Sequence, residues 1–343
     1  MSRLRCPRCG TLFDPPAKFC TKDGFPLGPA GAPAPNTVKS FGLHRTGESR
    51  LPPARRGDPA SGLSGRVLDG RYQMEIRVGE GGMAWVYRAR DRASGRTVAV
   101  KVLMSRLTGD KEAVARLRRE AQVAMRLEHP NVCGILAWGD AGGMPYLVMP
   151  FLDGETLSRR ETRQGPMPAE FAVPLLHQLC QGLQHAHDAG ILHRDLKPEN
   201  VMLVEQPGQG DRAVVMDFGL AKESVAGPEL TRLTATGIVL GTPEFMSPEQ
   251  IRGKPLDARS DIFALGVLGF ELLTGRLPFE GNTAQETMLA HLTGQPLRLR
   301  QACSTLPESL ERVIARSIAH EATARYQSMS DFAHALDMVR GEG

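Results

Sequence analysis

The order of secondary-structure patterns along the chain limits its fold more than any other feature. Short runs rich in Val, Tyr, Ile and Trp lie between residues 71 and 151, separated by Gly and Asp turns, and they predict β-strands. After Phe151 the apolar spacing becomes that of helices. A strand-rich part followed by a helical part predicts an α+β fold with two lobes and a ligand site in the cleft between them. The strand-like runs are RYQMEIRVG, MAWVYRARD, RTVAVKVLM, CGILAWG and MPYLVMPF, and the predicted helices are Lys111–Leu127, Ala169–Ala189, Ser260–Leu273, Thr283–Thr293, Pro307–Ile318 and Met329–Val339.

Composition and charge exclude several classes of protein. The 343 residues, with 41% hydrophobic and 23% charged side chains, are typical of a soluble globular protein. A net charge of +4 is small for this length, so we expect no nucleic-acid partner. The most apolar window, Asp261–Gly275, is too short to span a bilayer, and the first residues lack an apolar signal region. We therefore expect a cytoplasmic location and no membrane partner.

The chain divides by composition into three parts. Residues 1–28 form a compact Cys-, Gly- and Pro-containing segment. Residues 29–65 have almost no apolar periodicity, so they cannot bury enough surface to offset the entropy of ordering and predict a disordered linker. The folded domain is expected at residues 66–343, with an N-lobe at 66–152 and a C-lobe at 153–343.

The first segment contains a metal-ligand pattern. CPRCG and FCTKDG resemble the two knuckles of a zinc ribbon, with Cys6, Cys9, Cys20 and then Asp23 where a fourth Cys is expected. This set suits tetrahedral Zn²⁺, for which a carboxylate oxygen is an acceptable ligand. The alternative is a degenerate ribbon or an unstructured tail. We expect a zinc site with a structural role or a role in docking a protein partner.

Two features of the strand-rich part indicate phosphate binding. VGEGGMAWVY (78–87) places three glycines on a strand–turn–strand, where backbone N–H groups can approach phosphate oxygens. Lys101 is the single charge in the alternating strand VAVKV and needs an anionic partner, because burying an unpaired charge is costly. Glu120, on the inward side of the following helix, can supply that partner. Taken alone, the glycines favour an ordinary hairpin and the Lys101–Glu120 pair favours a structural salt bridge.

A second cluster of polar residues lies at the ends of apolar runs. ILHRDLKPENVML (191–203) holds six polar or charged side chains between two apolar segments. Asp217 ends the apolar run VVM at a Gly-containing turn, and Asn200 offers a neutral oxygen. Mg²⁺ prefers a few protein oxygens together with water and phosphate, so Asn200 and Asp217 predict a Mg²⁺ site on nucleotide phosphates.

Taken in order, these motifs resemble the signature set of protein kinases. The resemblance covers roughly residues 72–340. The stretch GTPEFMSPEQIRGKPLDARSDIFALG most resembles bacterial Ser/Thr kinases of the eukaryotic type. The motifs that carry it are Lys101 in VAVK, Glu120, HRDLKPEN at 193–200, DFG at 217–219, SPE at 247–249 and SDIFALG at 260–266.

The resemblance implies a kinase that transfers the γ-phosphoryl group of ATP, with Mg²⁺ or Mn²⁺, to Ser and Thr hydroxyls of protein substrates. Asp195 would accept or orient the proton of the substrate hydroxyl, and Lys197 would steady the transferring group. Lys101, steadied by Glu120, would hold the α- and β-phosphates. The nucleotide-binding residues that it implies are Val78, Gly79, Glu80, Gly81, Gly82, Val86, Ala99, Lys101, Met149 as gatekeeper, Pro150, Leu152 and Met202.

Two departures from the family pattern leave the chemical groups intact. Ala84 replaces the third loop glycine, and SPE stands where APE is usual, with Glu249 retained and Arg325 as its predicted ion-pair partner. An active kinase is therefore favoured over a catalytically silent kinase-fold scaffold that binds partners through the ribbon. A small-molecule phosphotransferase would not explain Lys197 together with GTPEFMSPE. The oligomeric state is not predicted.

Threonines between Asp217 and Glu249 predict regulation by phosphorylation. A phosphate on Thr234 or Thr236, or less favourably on Thr231, would bring close to two negative charges that can pair with Arg194 and order the segment. Thr242 is a poorer candidate because its hydroxyl is expected to bond within the catalytic loop. The alternative is that these threonines are ordinary turn and loop residues.

Overall fold

The structure, a computed structural model, describes residues 4–5, 12–13, 59–80, 84–104, 111–208, 210–218 and 242–340. The chain divides into two compact units, Met1–Ser49 and Arg50–Gly343. In the first unit β1 (Leu4–Arg5) pairs antiparallel with β2 (Leu12–Phe13). Within the described part of the chain, every helix is too short or too polar to cross a bilayer.

The second unit begins with an antiparallel sheet in the order β3-β4-β5-β6-β8-β7. Alternate residues of these strands point to opposite faces, which gives the sheet two apolar surfaces. Trp85, Tyr87 and Val100 lie on one of them and are fully buried. The strands are β3 (Val67–Leu68), β4 (Tyr72–Glu80), β5 (Ala84–Asp91), β6 (Thr97–Leu103), β7 (Ala137–Asp140) and β8 (Pro145–Pro150).

Residues assigned to the linker by sequence cover this buried face. Pro59–Gly62 forms a 3₁₀ turn, Ala60 and Leu63 are buried in the same cluster as Tyr87, and the Tyr87 hydroxyl donates a hydrogen bond to the Ala60 carbonyl at 2.7 Å. The folded unit therefore extends to Pro59 at least, beyond the predicted boundary at residue 66. Periodicity could not reveal this, because so short a turn buries only isolated apolar residues.

The other face of the sheet carries Lys101, whose register partner on β8 is Leu147. Helix α1 (Lys111–Ala124) packs there through Ala121 and Ala124, which share a buried cluster with Leu147. Lys101 thus lies on the face of the sheet that α1 contacts, as the sequence predicted. The helix ends at Ala124, before the predicted end at Leu127.

Helices form most of the second lobe, and each predicted helix is present with small differences at its ends. α5 lies in the core and is buried continuously from Ser260 to Phe270. It begins after the N-cap Asp257, which accepts a hydrogen bond from the Arg259 N–H, and ends before the C-cap Gly275, whose φ of 68° suits a residue without Cβ. Among the described residues, the helices of this lobe are α2 (Leu157–Gln164), α3 (Ala169–Asp188), α4 (Pro248–Ile251), α5 (Ala258–Thr274), α6 (Ala284–Thr293), α7 (Leu299–Ala302), α8 (Glu308–Ser317) and α9 (Met329–Arg340).

The second lobe also contains a small sheet and three helices, α2, α4 and α7, that the sequence did not predict. Strands β9 (Glu155–Thr156), β10 (Val201–Gln206) and β11 (Gly210–Val215) pair antiparallel in the order β11-β10-β9. Val215 also forms a parallel bridge with Val132. The β10–β11 hairpin follows residues 193–200 directly and ends just before Asp217, so it brings the two predicted catalytic segments together.

Glu161 on α2 is partly buried in an acidic environment. Burial, with the charges of Glu271 and Glu199, raises the pKa of Glu161 to about 8, and burial with Glu199 and Glu244 raises the pKa of Glu271 to about 7. In the unfolded chain the ordinary carboxyl pKa is 4.5. The folded protein therefore keeps these protons at pH values where the unfolded chain has lost them, and stability falls as pH rises from about 4.5 towards 8.

We expect Glu161→Gln to stabilise the protein at pH 8.5 by about 1–3 kcal/mol and to change little at pH 5, because Gln resembles the protonated acid. Urea denaturation at the two pH values measures the difference. Glu280→Gln, at a glutamate whose side chain is 56% exposed, is the matched control and should be nearly neutral at both. Equal effects of Glu161→Gln at pH 5 and pH 8.5 would contradict the burial argument.

Candidate active site

The HRD segment is held by a buried carboxylate of α5. Asp261 is 1% exposed and accepts hydrogen bonds from the N–H groups of His193 and Arg194, both at 2.8 Å, and from His187 Nε2 at 2.8 Å. Burial raises the pKa of Asp261, but the His187 and His193 interactions lower it by more, so its pKa lies below the usual value. Arg194 has a φ of 64°, a conformation that costs a non-glycine residue about 1–3 kcal/mol and that these bonds maintain.

His193 connects this segment to the strand that precedes Asp217. Its Nε2 donates to the Met216 carbonyl at 2.8 Å, and its Nδ1 accepts the Asp195 N–H at 3.2 Å. Burial lowers the pKa of His193, so the ring is neutral and suits this one-donor, one-acceptor role. Its ring also packs against Phe218 with centroids 5.0 Å apart. The two predicted catalytic segments are thus fixed to each other.

The Asp195 carboxylate lies beside two other predicted groups. Lys197 Nζ is 3.1 Å from Asp195 Oδ2 and donates to Thr242 Oγ1 at 3.0 Å. Asn200 Nδ2 donates to the Asp195 carbonyl at 2.8 Å. The predicted bond between Thr242 and the catalytic loop is confirmed. A carboxylate and an ammonium group therefore face the same point, where a hydroxyl could be deprotonated and a phosphoryl group neutralised.

Asp217 pairs with the strand lysine. Lys101 Nζ donates to Asp217 Oδ1 at 2.7 Å. Partial burial raises the pKa of Asp217, but the Lys101 ammonium lowers it by more, so its pKa is below the usual value and the carboxylate is ionised. The side chain of Glu120 lies outside the described residues, so its predicted pairing with Lys101 stays a prediction.

The residues present fit a nucleotide-bound Mg²⁺. Because the Asn200 amide nitrogen bonds to the Asp195 carbonyl, its Oδ1 is the atom left to bind a cation, and Asp217 adds an ionised carboxylate nearby. Asn200 also accepts the Met216 N–H at its carbonyl, at 2.8 Å, which ties the two candidate ligands together. Among the described residues there is no group of three or more His, Cys, Asp or Glu that could hold a metal by itself. A site with two protein ligands is typical of Mg²⁺ on phosphates.

Four of the predicted nucleotide-binding residues share the Lys101 face of the sheet. Val86 is the register partner of Lys101, and Ala99 is the partner of Met149. Ala99 and Lys101 are two residues apart on β6, so these four side chains share one face. Val78, Gly79 and Glu80 end β4, Pro150 ends β8 with Leu152 just beyond it, and Met202 is half-buried on β10. Gly81 and Gly82 lie outside the described residues.

The segment from residue 242 to residue 251 is attached to the site at several points. Gln250 Nε2 donates to the Arg194 carbonyl at 2.8 Å, and Ser247 caps α4 in a capping box with Gln250. Glu249 accepts two hydrogen bonds from Arg325, at 2.8 and 3.0 Å. The predicted Glu249–Arg325 pair is confirmed. This 242–251 segment therefore has a fixed position beside Asp195 and Lys197.

Asp261, His193, His187 and Gln250 are residues of the site that were not predicted from sequence. One signal was available for Asp261, because a carboxylate in the otherwise apolar run DIFALGVLGF must have partners when the helix is buried. The other three follow from contacts that only the folded chain creates. Cys6, Cys9, Cys20, Asp23, Thr231, Thr234 and Thr236 lie outside the described residues.

Comparison with known proteins agrees with this geometry. Residues 72–336 match the family model described as protein kinase domain. The chain is 38% identical over 281 residues to the serine/threonine-protein kinase pkn3 of Myxococcus xanthus, covering 81% of this chain and 51% of that protein. It is 41% identical over 272 residues to the serine/threonine-protein kinase pkn2 of the same organism, covering 79% of this chain and 32% of that protein. It is 38% identical over 269 residues to the serine/threonine-protein kinase PrkC of Bacillus subtilis, covering 78% of this chain and 40% of that protein. The chain thus spans about half or less of these relatives.

Solved structures give the same fold. The kinase domain of PknI from Mycobacterium tuberculosis superposes with a TM-score of 0.65 and 26% identity, covering 81% of this chain and 98% of that one. The two lobes, the paired catalytic segments and the matched family model therefore lead to one conclusion. The chain belongs to the protein kinase family, with the bilobal kinase fold and a domain of the bacterial Ser/Thr kinase type.

Proposed function

We propose that this protein is an active serine/threonine protein kinase that transfers the γ-phosphoryl group of ATP to protein hydroxyls. The observation that carries the proposal is the Asp195–Lys197–Thr242 arrangement, in which Lys197 contacts both other side chains. The resemblance to curated Ser/Thr kinases at 38–41% identity supports it.

Each residue contributes a step that its chemistry allows. The Asp195 carboxylate orients the acceptor hydroxyl and receives its proton, while the Lys197 ammonium offsets the negative charge that develops on the transferring group. Lys101 would hold the nucleotide phosphates, and Asn200 and Asp217 would hold the Mg²⁺ or Mn²⁺ ion, which supplies further neutralising charge. Val86, Ala99 and Met202 would enclose the adenine.

Incubation of the purified protein with labelled ATP, Mg²⁺ and a generic basic protein tests the activity. We expect incorporation of label into Ser and Thr, at a rate about 10²- to 10⁴-fold lower in the Asp195→Asn variant. A wild-type protein that transfers no phosphate to any protein, itself included, would instead be a kinase-fold scaffold. Label found only on small molecules would indicate a small-molecule phosphotransferase.

We also propose that Cys6, Cys9, Cys20 and Asp23 bind one structural Zn²⁺. Cys6 and Cys9 stand between the paired strands β1 and β2 in sequence, as the ligands of a zinc knuckle would. We expect about one Zn²⁺ per chain in freshly purified protein, and its loss on deletion of residues 1–28 with the kinase domain still folded. Metal analysis by mass spectrometry gives the ratio, and a zinc-free full-length protein would favour the degenerate ribbon.

A further proposal concerns activation. Autophosphorylation at Thr234 or Thr236, with Thr231 less favoured, would place a phosphate where the Arg194 guanidinium can pair with it. We expect the Thr231→Ala, Thr234→Ala, Thr236→Ala triple variant to lose most of its activity, and mass spectrometry of the active enzyme to find phosphate on this segment. Thr293→Ala, on α6, is the matched control. Full activity of the wild type with all three threonines unmodified would refute the mechanism.

A further inference from the structure

A buried histidine of α6 contacts the 242–251 segment. His291 is 0% exposed, and its Nδ1 lies 2.8 Å from the Met246 carbonyl oxygen. Because a carbonyl oxygen can only accept, Nδ1 carries the hydrogen and donates it. The other ring nitrogen, Nε2, is buried and has no hydrogen-bond partner among the described residues.

The His291 ring is also enclosed by aromatic side chains. Its centroid is 4.7 Å from that of Phe279 and 5.5 Å from that of Phe263. Burial lowers the pKa of His291 to about 4, with a smaller effect from His320, so the ring is neutral near pH 7 and keeps its single donor. A side chain fixed by this packing can hold its hydrogen-bond acceptor in one place.

This contact fills a gap between the other attachments of the segment. Lys197 holds Thr242 at one end, while Arg325 holds Glu249 and Gln250 bonds to the Arg194 carbonyl at the other. Among the hydrogen bonds described for residues 243–248, the bond from His291 comes from a side chain outside the segment, whereas the others join residues within or next to it. The middle of the segment, where Met246 is partly buried, is thus fixed from α6, while Thr242 and Gln250 bond to Lys197 and to the Arg194 carbonyl of the catalytic loop.

We propose that His291 is a positioning residue, whose Nδ1–H fixes the Met246 carbonyl and thereby the surface on which the protein substrate docks. The proposal rests on the proposed kinase function. A purely structural role, in which the ring only fills space beside Phe263 and Phe279, makes a different prediction, because it depends on shape and not on the position of a donor.

The experiment moves the donor while keeping a polar side chain. In His291→Asn the amide nitrogen can occupy the place of Nδ1, whereas in His291→Gln it reaches the place of Nε2. His291→Leu removes the donor and keeps an apolar side chain against the aromatic rings. The acceptor is a peptide chosen by its binding to the wild-type protein from a Ser/Thr array, and its Ala-substituted form serves for binding measurements by fluorescence anisotropy.

We expect His291→Gln and His291→Leu to raise the peptide KM, and the Kd of its Ala form, by about 3- to 10-fold, which corresponds to the loss of one hydrogen bond. The KM for ATP and the kcat at saturating peptide should stay within about 2-fold of the wild-type values. His291→Asn should restore KM and Kd to within about 2-fold of the wild type. Urea denaturation of each variant measures its folding separately.

His320→Asn is the matched control. His320 also packs against Phe279, but no described hydrogen bond joins it to the 242–251 segment. It should leave the peptide Kd unchanged. The proposal is overturned if His291→Asn weakens binding as much as His291→Gln, or if neither donor-displacing variant weakens it. Absence of transfer by the wild type would reject the proposed function, and the binding arm would still decide the role of His291.

Discussion

Asp195→Asn is expected to lower phosphoryl transfer by about 10²- to 10⁴-fold, the usual contribution of a positioned general base. Asn keeps the size of the side chain and its contacts but cannot receive a proton. ATP binding should survive, because Lys101, Asn200 and Asp217 remain. Steady-state kinetics with a protein acceptor and a fluorescent ATP analogue measure the two effects separately.

The surroundings of Asp195 make this substitution interpretable. Its backbone N–H is bound by His193 Nδ1 and its carbonyl by Asn200 Nδ2, so the loop is held by contacts that the change leaves in place. The substitution does remove the attraction between the carboxylate and the Lys197 ammonium at 3.1 Å, but Lys197 keeps its bond to Thr242. The loss should therefore appear in kcat and not in the Kd for ATP.

Asp188→Asn, at an exposed aspartate at the end of α3, is the matched control and should retain full activity. A second check is Lys197→Met, which should also lower kcat because the transferring group loses its nearest ammonium. Asp195→Asn with turnover near the wild-type value would exclude Asp195 as the base. A large rise in its Kd for ATP would instead show that the loop had not kept its shape.

The sheet of the first lobe was predictable because successive side chains along its strands alternate between the two faces of the sheet. Trp85, Tyr87 and Val100 point to one side and Lys101 to the other, so period-two spacing defines both the strands and the face that holds the lysine. The helix α5 was predictable for a different reason, because its sequence is apolar almost throughout, as a helix buried on all sides requires. Its exact ends were not, since they depend on the cap at Asp257 and the left-handed Gly275.

Helix α2 was missed because it lacks the apolar period on which prediction depends. Leu157 is its one buried residue, and the rest of LSRRETRQ is polar. Its stability comes from the Thr156 cap and from Arg160, which pairs with Glu155 at 2.6 Å and Asp211 at 2.7 Å. The partner at Asp211 is far along the chain, so the helix is specified by tertiary contacts that a local window cannot contain.

In the site, too, some residues could be predicted from sequence and others depend on contacts between distant parts of the chain. Residue chemistry predicted Asn200 and Asp217 as oxygen ligands, whereas the roles expected of Asp195 and Lys197 came from the resemblance of HRDLKPEN to the protein-kinase signature. The bond from Lys101 to Asp217 joins residues 116 positions apart, and the bond from His291 to Met246 joins residues 45 positions apart. Contacts of this kind follow from how the lobes fold, so hydrogen-bond geometry identifies them and sequence pattern does not.

The second large effect is expected at Arg325. Arg325 is fully buried, and each of its five N–H groups donates a hydrogen bond. Two of these bonds go to Glu249, and the others go to the carbonyls of Ala319, Arg259 and His320. Arg325→Met fits the space but leaves these acceptors without the guanidinium. Removing one partner of a buried ion pair costs about 3–5 kcal/mol, and we expect a loss of that order in the free energy of unfolding.

The loss should depend on pH in a defined direction. Burial raises the pKa of Glu249, but the hydrogen bonds from Arg325 lower it by more, so its pKa is below the usual 4.5 in the wild type. This contribution to stability is present above pH 4.5 and is lost as pH falls through the folded-state pKa. Without Arg325 the buried carboxylate would be easier to protonate, so the cost of Arg325→Met should be smaller at pH 4 than at pH 7.

Urea denaturation of Arg325→Met at the two pH values measures this cost, and Arg276→Met is the matched control. Arg276 pairs with Glu280 at 3.3 Å, but both side chains are more than half exposed, so its loss should cost at most about 1 kcal/mol. Adding Glu249→Gln to Arg325→Met removes the unpaired charge and should recover part of the stability. If the double variant were no more stable than Arg325→Met at pH 7, the cost would come from lost packing and carbonyl bonds and not from an isolated Glu249 carboxylate.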